Sequence, residues 1–201
     1  MKKIIISLAI AIAAAVSASA QVSVGAGYLN QTNKTTVSNN SSSRALNGFY
    51  AGVDLGYGLG YGLSIVPGVY YGYISGKTTA LEGVAEANYV RHDIAIPVNV
   101  KYGIDILDAL NVFAYAGPQF NIGLASTSTA TVAGISKSIN NFDENGAERR
   151  FDLSIGVGLG FDVADLIRIN LGYNFGLLNR ANSENVVTKA NTLHVGLAVL
   201  F

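Results

Sequence analysis

The 201-residue chain contains no cysteine, no tryptophan, one methionine, three prolines and two histidines. Without cysteine there can be no disulfide framework, thiolate zinc site, cysteine nucleophile or lipid-modified cysteine. His92 and His194 alone leave little material for histidine-based metal sites. Charge is scarce: 13% of residues are charged, against about 25% in ordinary soluble domains. The 13 basic residues balance 13 acidic ones, so the basic stripe that an electrostatic nucleic-acid binder needs is missing and nucleic acid is not an expected partner. Beyond the first 20 residues no run reaches about 18 consecutive apolar positions, so no membrane helix is predicted. Helical i, i+3, i+4 patterning is nearly absent. What the chain does have is 50% hydrophobic residues and 23 glycines, in a length that fits one domain.

Residues 1–20 read as an address. Lys2 and Lys3 form a positive start, Ile4 to Val16 are small or apolar apart from Ser7, and Ala18-Ser19-Ala20 is an A-x-A cleavage site. The stretch is shorter than the roughly 20 apolar residues that span a bilayer. A secretory leader is expected, with mature protein starting at Gln21. No cysteine follows the cleavage site, which excludes a lipoprotein.

The rest alternates with period two, the pattern of half-buried strands. In the clearest case Phe151, Leu153, Ile155, Val157, Leu159 and Phe161 share one face, and Arg150, Asp152, Ser154, Gly156, Gly158 and Gly160 the other. The same reading predicts strands at Val22–Leu29, Phe49–Tyr57, Leu63–Tyr73, Val90–Tyr102, Leu110–Leu124, Ile167–Phe175 and Leu193–Phe201, eight in all. Long polar connections (30–47, 75–88, 126–149, 178–190) alternate with short ones (58–61, 103–109, 162–166). An eight-stranded antiparallel up-and-down barrel is the expected fold, with both termini at the short-turn end. Pro67, Pro97 and Pro118 are awkward within strands and weaken the local registers.

Volume decides which face is outside. An eight-stranded barrel encloses little more than its own side chains, and the apolar Val, Ile, Leu, Phe and Tyr set would not fit. The glycine-rich face would. The apolar face is therefore expected to meet outer-membrane lipid and the polar face to line the lumen. Tyr57, Tyr102, Phe161 and Phe201 at the short-turn ends, and Tyr28, Phe49, Tyr71, Tyr73, Phe151 and Phe175 toward the long-loop ends, form two aromatic girdles on this reading.

The last strand, Thr192 to Phe201, alternates Leu193, Val195, Leu197, Val199 and the terminal Phe201. It resembles the carboxy-terminal signal of bacterial outer-membrane β-barrels, which implies the barrel assembly machinery as a partner during biogenesis. The blocks NGFYAGVDLGYGLGYGLSIVPGVYYGY, HDIAIPVNVKYG, NVFAYAGPQFNIGLAS, RRFDLSIGVGLGFD and IRINLGYNFGLLN resemble outer-membrane β-barrel domain proteins of Bacteroidota, of the porin-family or PorT-like kind. The architecture is similar to OmpX and to the barrel half of OmpA. These resemblances imply a Gram-negative outer-membrane location and say nothing specific about activity.

Candidate site residues are the inward-facing ionisable ones: Asp54, Arg91, Asp93, Lys101, Arg150, Asp152 and Arg168. Opposed charges in a narrow barrel are expected to pair, since a lone charge away from water is costly. His194 joins this lumen network, and Tyr50, Tyr70, Tyr115 and Phe113 add bulk. No catalytic set is expected: His92 faces lipid while Asp93 faces inward, and no G-x-S-x-G elbow selects a serine for His194. No cofactor is expected either. The Gly56–Gly62 run has period two and no following helix, unlike a phosphate loop, and Asp143, Glu144, Asn145 and Glu148 lack EF-hand spacing. The expected role is structural or surface-interacting, through four extracellular loops and their surface partners. The alternatives are a narrow diffusion pore and, more distantly, a lipid-modifying enzyme or secretion-accessory barrel.

Overall fold

The computed structural model describes residues 20–38, 40–80, 85–143, 146–183 and 185–201. Apart from Ala20, the leader read at residues 1–20 lies outside the described residues. Nine strands occur among them: β1 (Ala20–Val37), β2 (Asn40–Gly60), β3 (Leu63–Ala80), β4 (Ala85–Leu107), β5 (Leu110–Val132), β6 (Ile135–Asn140), β7 (Phe151–Val163), β8 (Ile167–Gly176) and β9 (Val186–Leu200). Eight of them close into an antiparallel ring, β1-β2-β3-β4-β5-β7-β8-β9, sealed by the pairing of β1 with β9. β6 stands outside the ring, paired to the top of β5 from Thr127↔Asn140 to Val132↔Ile135.

Exposure in this ring is the reverse of that in a water-soluble core. On β7, Phe151, Ile155, Val157, Leu159 and Phe161 are exposed, while Asp152, Ser154 and Asp162 are buried. The largest fully buried side chain is Arg91. A closed sheet satisfies every wall N–H and C=O internally, which is what lets strands cross hydrocarbon. No helix among the described residues is long and apolar enough to cross a membrane. The aromatics sort to the two rims as expected. At the long-connection rim Tyr28, Phe49, Tyr73 and His92 form one cross-strand row, with Phe49 and Tyr73 stacked at 5.1 Å. Val157 lies between the girdles, so Val157→Glu is expected to cost about 2 kcal/mol in a bilayer, read as a lower urea midpoint of the folded gel band. An unchanged midpoint would mean that this face does not meet lipid.

The short turns follow the expectation. At the first, Tyr61 and Gly62 have φ of 53° and 80°, after Gly60 at 94°; the glycines of this run supply the left-handed backbone that a tight turn requires. The three prolines sit inside β3, β4 and β5, and the β3–β4 register is the same below and above Pro67, from Pro67↔Val98 to Tyr70↔Ala95.

Three of the four long connections continue the sheet for much of their length. β1 and β2 stay paired out to Val37↔Asn40, β3 and β4 out to Ala80↔Ala85, and β5 and β6 close on Ala133 and Gly134 at φ 48° and 82°. Beyond the apolar belt both faces of the sheet meet water, so Ser, Thr, Asn and Lys occupy both and the alternation that signals a strand disappears. The hydrogen-bond ladder continues regardless. A β-bulge at His92/Asp93 against β5 adds a second effect: Leu124 and Ala125 both point outward, and Ser126, 1% exposed, turns inward above them.

Candidate functional site

The lumen is organised in layers. Near the short turns, β2, β4, β7 and β8 present Asp54, Lys101, Asp162 and Arg168. Arg168 donates Nε and Nη2 to the two oxygens of Asp162 at 2.7 and 2.9 Å, and Nη1 to Asp54 at 3.5 Å. Lys101 Nζ donates to Asp162 at 3.1 Å. Asp54 also accepts from Ser23 Oγ at 2.6 Å and from the Tyr70 hydroxyl. Lys101 and Arg168 both lie over the Phe113 ring, at 4.8 and 5.2 Å. Two cations and two carboxylates thus neutralise one another where little water reaches them, the condition under which a buried ion pair is tolerated.

Two tyrosines cross the barrel above this cluster. Tyr115 on β5 pairs with Gly158, which pairs with Gly172, which pairs with His194. The ring lies over both glycines, and its hydroxyl hydrogen-bonds His194 Nε2 at 2.9 Å. Tyr50 on β2 does the same in the other direction, lying over Gly27 and Gly196 with its hydroxyl 3.4 Å from Asn170 Oδ1. A Cβ at any of these four glycines would collide with the ring above it or, at Gly172, also with His194. Pairs of glycines are therefore what let a narrow barrel hold transverse aromatics.

At the other end, Arg91 is fully buried on β4. It donates Nε to both Asp93 oxygens at 2.8 and 3.0 Å, and Nη1 to Glu148 at 2.7 Å. Glu148 also accepts from Tyr89 and Ser126, and Arg180 stands 3.9 Å from Asp152.

A family model described as outer membrane protein beta-barrel domain matches residues 4–201. The chain belongs to this outer-membrane β-barrel family. Membership implies the bacterial outer membrane, and the long-connection rim is accordingly the extracellular end. The fold is similar to that of Ail, the attachment invasion locus protein of Yersinia pestis, crystallised with the heparin analogue sucrose octasulfate: TM-score 0.51, 12% identity, 90% of this chain and 99% of that one. It is also similar to Neisserial surface protein A, at TM-score 0.50 and 16% identity, over 92% of this chain and 98% of that one. At these identities the likeness is one of fold. The search of curated proteins found no match.

Of the charges read as lining the barrel, Asp54, Arg91, Asp93, Lys101, Asp152 and Arg168 do face its lumen. Arg150 does not. β7 begins one residue later, and Arg150 is exposed at the rim, donating to the Gly123 and Leu124 carbonyls at 3.2 Å with its guanidinium over Phe142 at 4.6 Å. Strand parity fails there because the chain is leaving the ladder. Three lumen charges escape the sequence reading. Asp162 falls within a predicted turn although β7 runs on to Val163, and Glu148 and Arg180 sit in connections that carry no strand signal. The outward residues of the last strand, Leu193, Val195, Leu197, Val199 and Phe201, are 40–74% exposed. Among the described residues the side-chain hydrogen bond of His194 goes to Tyr115, and His92 points outward with Nδ1 on the Tyr71 hydroxyl. Asp143 accepts from Asn140, while Glu144 and Asn145 lie outside the described residues.

Proposed function

We propose that the protein is a non-enzymatic barrel of the outer membrane whose lumen is closed by its own side chains and whose extracellular hairpins carry structural or surface contacts. The observation that carries this reading is the neutralised cluster of Asp54, Lys101, Asp162 and Arg168 across the periplasmic end. Its side chains are only 5–13% exposed, so a permeating ion would have to displace internal partners in a low-dielectric setting. The hairpins supply the contact surface: they are rich in Ser, Thr and Asn, and on β6 they expose Ile135 and Ile139 at 78% and 61%. Ail and Neisserial surface protein A are named for attachment and for the surface, which agrees with this assignment.

On this reading outer-membrane lipid, against the apolar belt, is the permanent partner. Residues 1–20 would export the chain, and Leu193 to Phe201 would present the assembly signal to the barrel assembly machinery. The narrower resemblance to PorT-like proteins of Bacteroidota, with its secretion-accessory role, rests on the sequence blocks alone.

The rival is a narrow pore, and planar-bilayer recording separates the two. The refolded full chain is expected to give no discrete single-channel openings. Reproducible stepwise openings would replace this reading with the pore.

A further inference from the structure

The lumen between its two charged ends is not filled. A cavity of about 150 Å³ remains, bordered at mid-height by Gln31, Gln119, Asn121, Asn174, Thr192 and His194. A cavity of about this volume can hold a molecule the size of benzene, so there is room for several waters or one small organic molecule. The floor is the periplasmic cluster, built wholly from strands of the ring.

The roof is built differently, because its outermost charges come from segments that are not part of the wall. Glu148, from the connection after β6, turns its carboxylate inward to Arg91 Nη1 at 2.7 Å, Tyr89 at 3.0 Å and Ser126 at 3.2 Å. Arg180, from the connection after β8, reaches Asp152 at 3.9 Å. The two connections are tied to each other: the Arg149 N–H donates to the Arg180 carbonyl at 2.8 Å and the Asn182 N–H to the Ala147 carbonyl at 3.0 Å. Together they form one strap across the mouth. Toward the lumen it turns the Glu148 carboxylate and the Arg180 guanidinium, each set against an opposite charge on the wall.

We propose that the lumen is a lidded binding compartment, blind at the periplasmic end, that takes up a small uncharged hydroxyl- or amide-bearing molecule from outside when the Glu148–Arg91 and Arg180–Asp152 latches release. Opening the strap leaves the pairing between wall strands intact, although besides the latches it must break the bonds of Asn179 and Arg180 to β9, among them the Arg180 N–H to the Thr188 carbonyl at 2.8 Å, whereas opening the floor would break the ring's own ion pairs. The lining selects against ions, because its charged groups are already matched with one another. Hydrogen-bonding capacity is what remains. The side-chain amides of Gln31, Gln119, Asn121 and Asn174 and the hydroxyl of Thr192 supply it.

The cysteine-free sequence makes a direct test possible. Thr192→Cys places a single thiol on the cavity wall, away from both latches and from the floor. In the folded full chain, the neutral reagent methyl methanethiosulfonate is expected to label this thiol slowly. Adding Glu148→Gln is expected to raise the rate by about tenfold or more, corresponding to about 1.4 kcal/mol of latch energy per tenfold. Arg180→Gln, on the second latch, is expected to do the same, and heat-modifiable gel mobility verifies that each variant is folded. In the opened variants the cationic aminoethyl reagent should lag the neutral one by about tenfold, relative to free cysteine, and erythritol should slow labelling. Fast labelling with both latches intact would overturn the proposal. So would no labelling with both removed, equal entry of the cationic reagent, or no protection by erythritol. Conductance is not the readout, so this result stands apart from the pore test.

Discussion

Arg168→Leu is expected to destabilise the folded barrel by about 3–5 kcal/mol, the cost of stranding buried carboxylates. Arg168 is the hub of the periplasmic cluster: it grips both oxygens of Asp162 and reaches Asp54, which otherwise has only the neutral donors Ser23 and Tyr70. Its loss leaves Lys101 as the one cation against two carboxylates. Arg168→Lys should recover only part of the loss, because an ammonium cannot span both acids as the planar guanidinium does. Arg168→Gln combined with Asp162→Asn removes one charge of each sign and should recover most of it. The urea midpoint of the folded, fast-migrating species on unheated gels measures all three. A double variant no better than Arg168→Leu would show that the charges are not what matters here.

The inward residues of this cluster at positions 54, 101 and 168 are legible in the sequence for a simple reason. Inside the apolar belt one face must be greasy, so parity alone assigns the other, and Val53, Val100 and Ile169 identify it. The rule fails where the belt ends. Thr35 and Lys34 are both polar, so nothing in the sequence shows that β1 continues to Val37. The bulge that turns Ser126 inward inserts one residue and reverses parity above it without any composition cue. Glu148 and Arg180 are the hardest, since each lies in irregular backbone and its partner is fixed only when the two connections fold over the mouth. The sequence alone therefore resolves the floor of the lumen better than its roof, where the proposed latches lie.

Glycine placement shows the same division. That many glycines face the lumen follows from parity, but which ring each one accommodates requires the registers of four neighbouring strands at once. The consequence is a second large effect: Gly158→Val is expected to cost about 4 kcal/mol. The new side chain would occupy the space of the Tyr115 ring, and overpacking of this kind costs about 1–3 kcal/mol. Displacing the ring also parts its hydroxyl from His194 Nε2. His194 is then left with neither nitrogen bonded, since its Nδ1 already lacks a partner, which adds about 1–3 kcal/mol. The ring has no easy escape along the barrel, because the Phe113 ring lies 6.2 Å away on the same strand. Gly172→Val should be nearly as severe alone and cost less on top of Gly158→Val than by itself, since the displaced Tyr115 ring is shared and only the clash with His194 is its own. Tyr115→Ala should make Gly158→Val almost neutral by vacating the space it needs. Urea midpoints of the three single and two double variants form the cycles, and fully additive losses from the two glycine substitutions would mean that no tyrosine spans them.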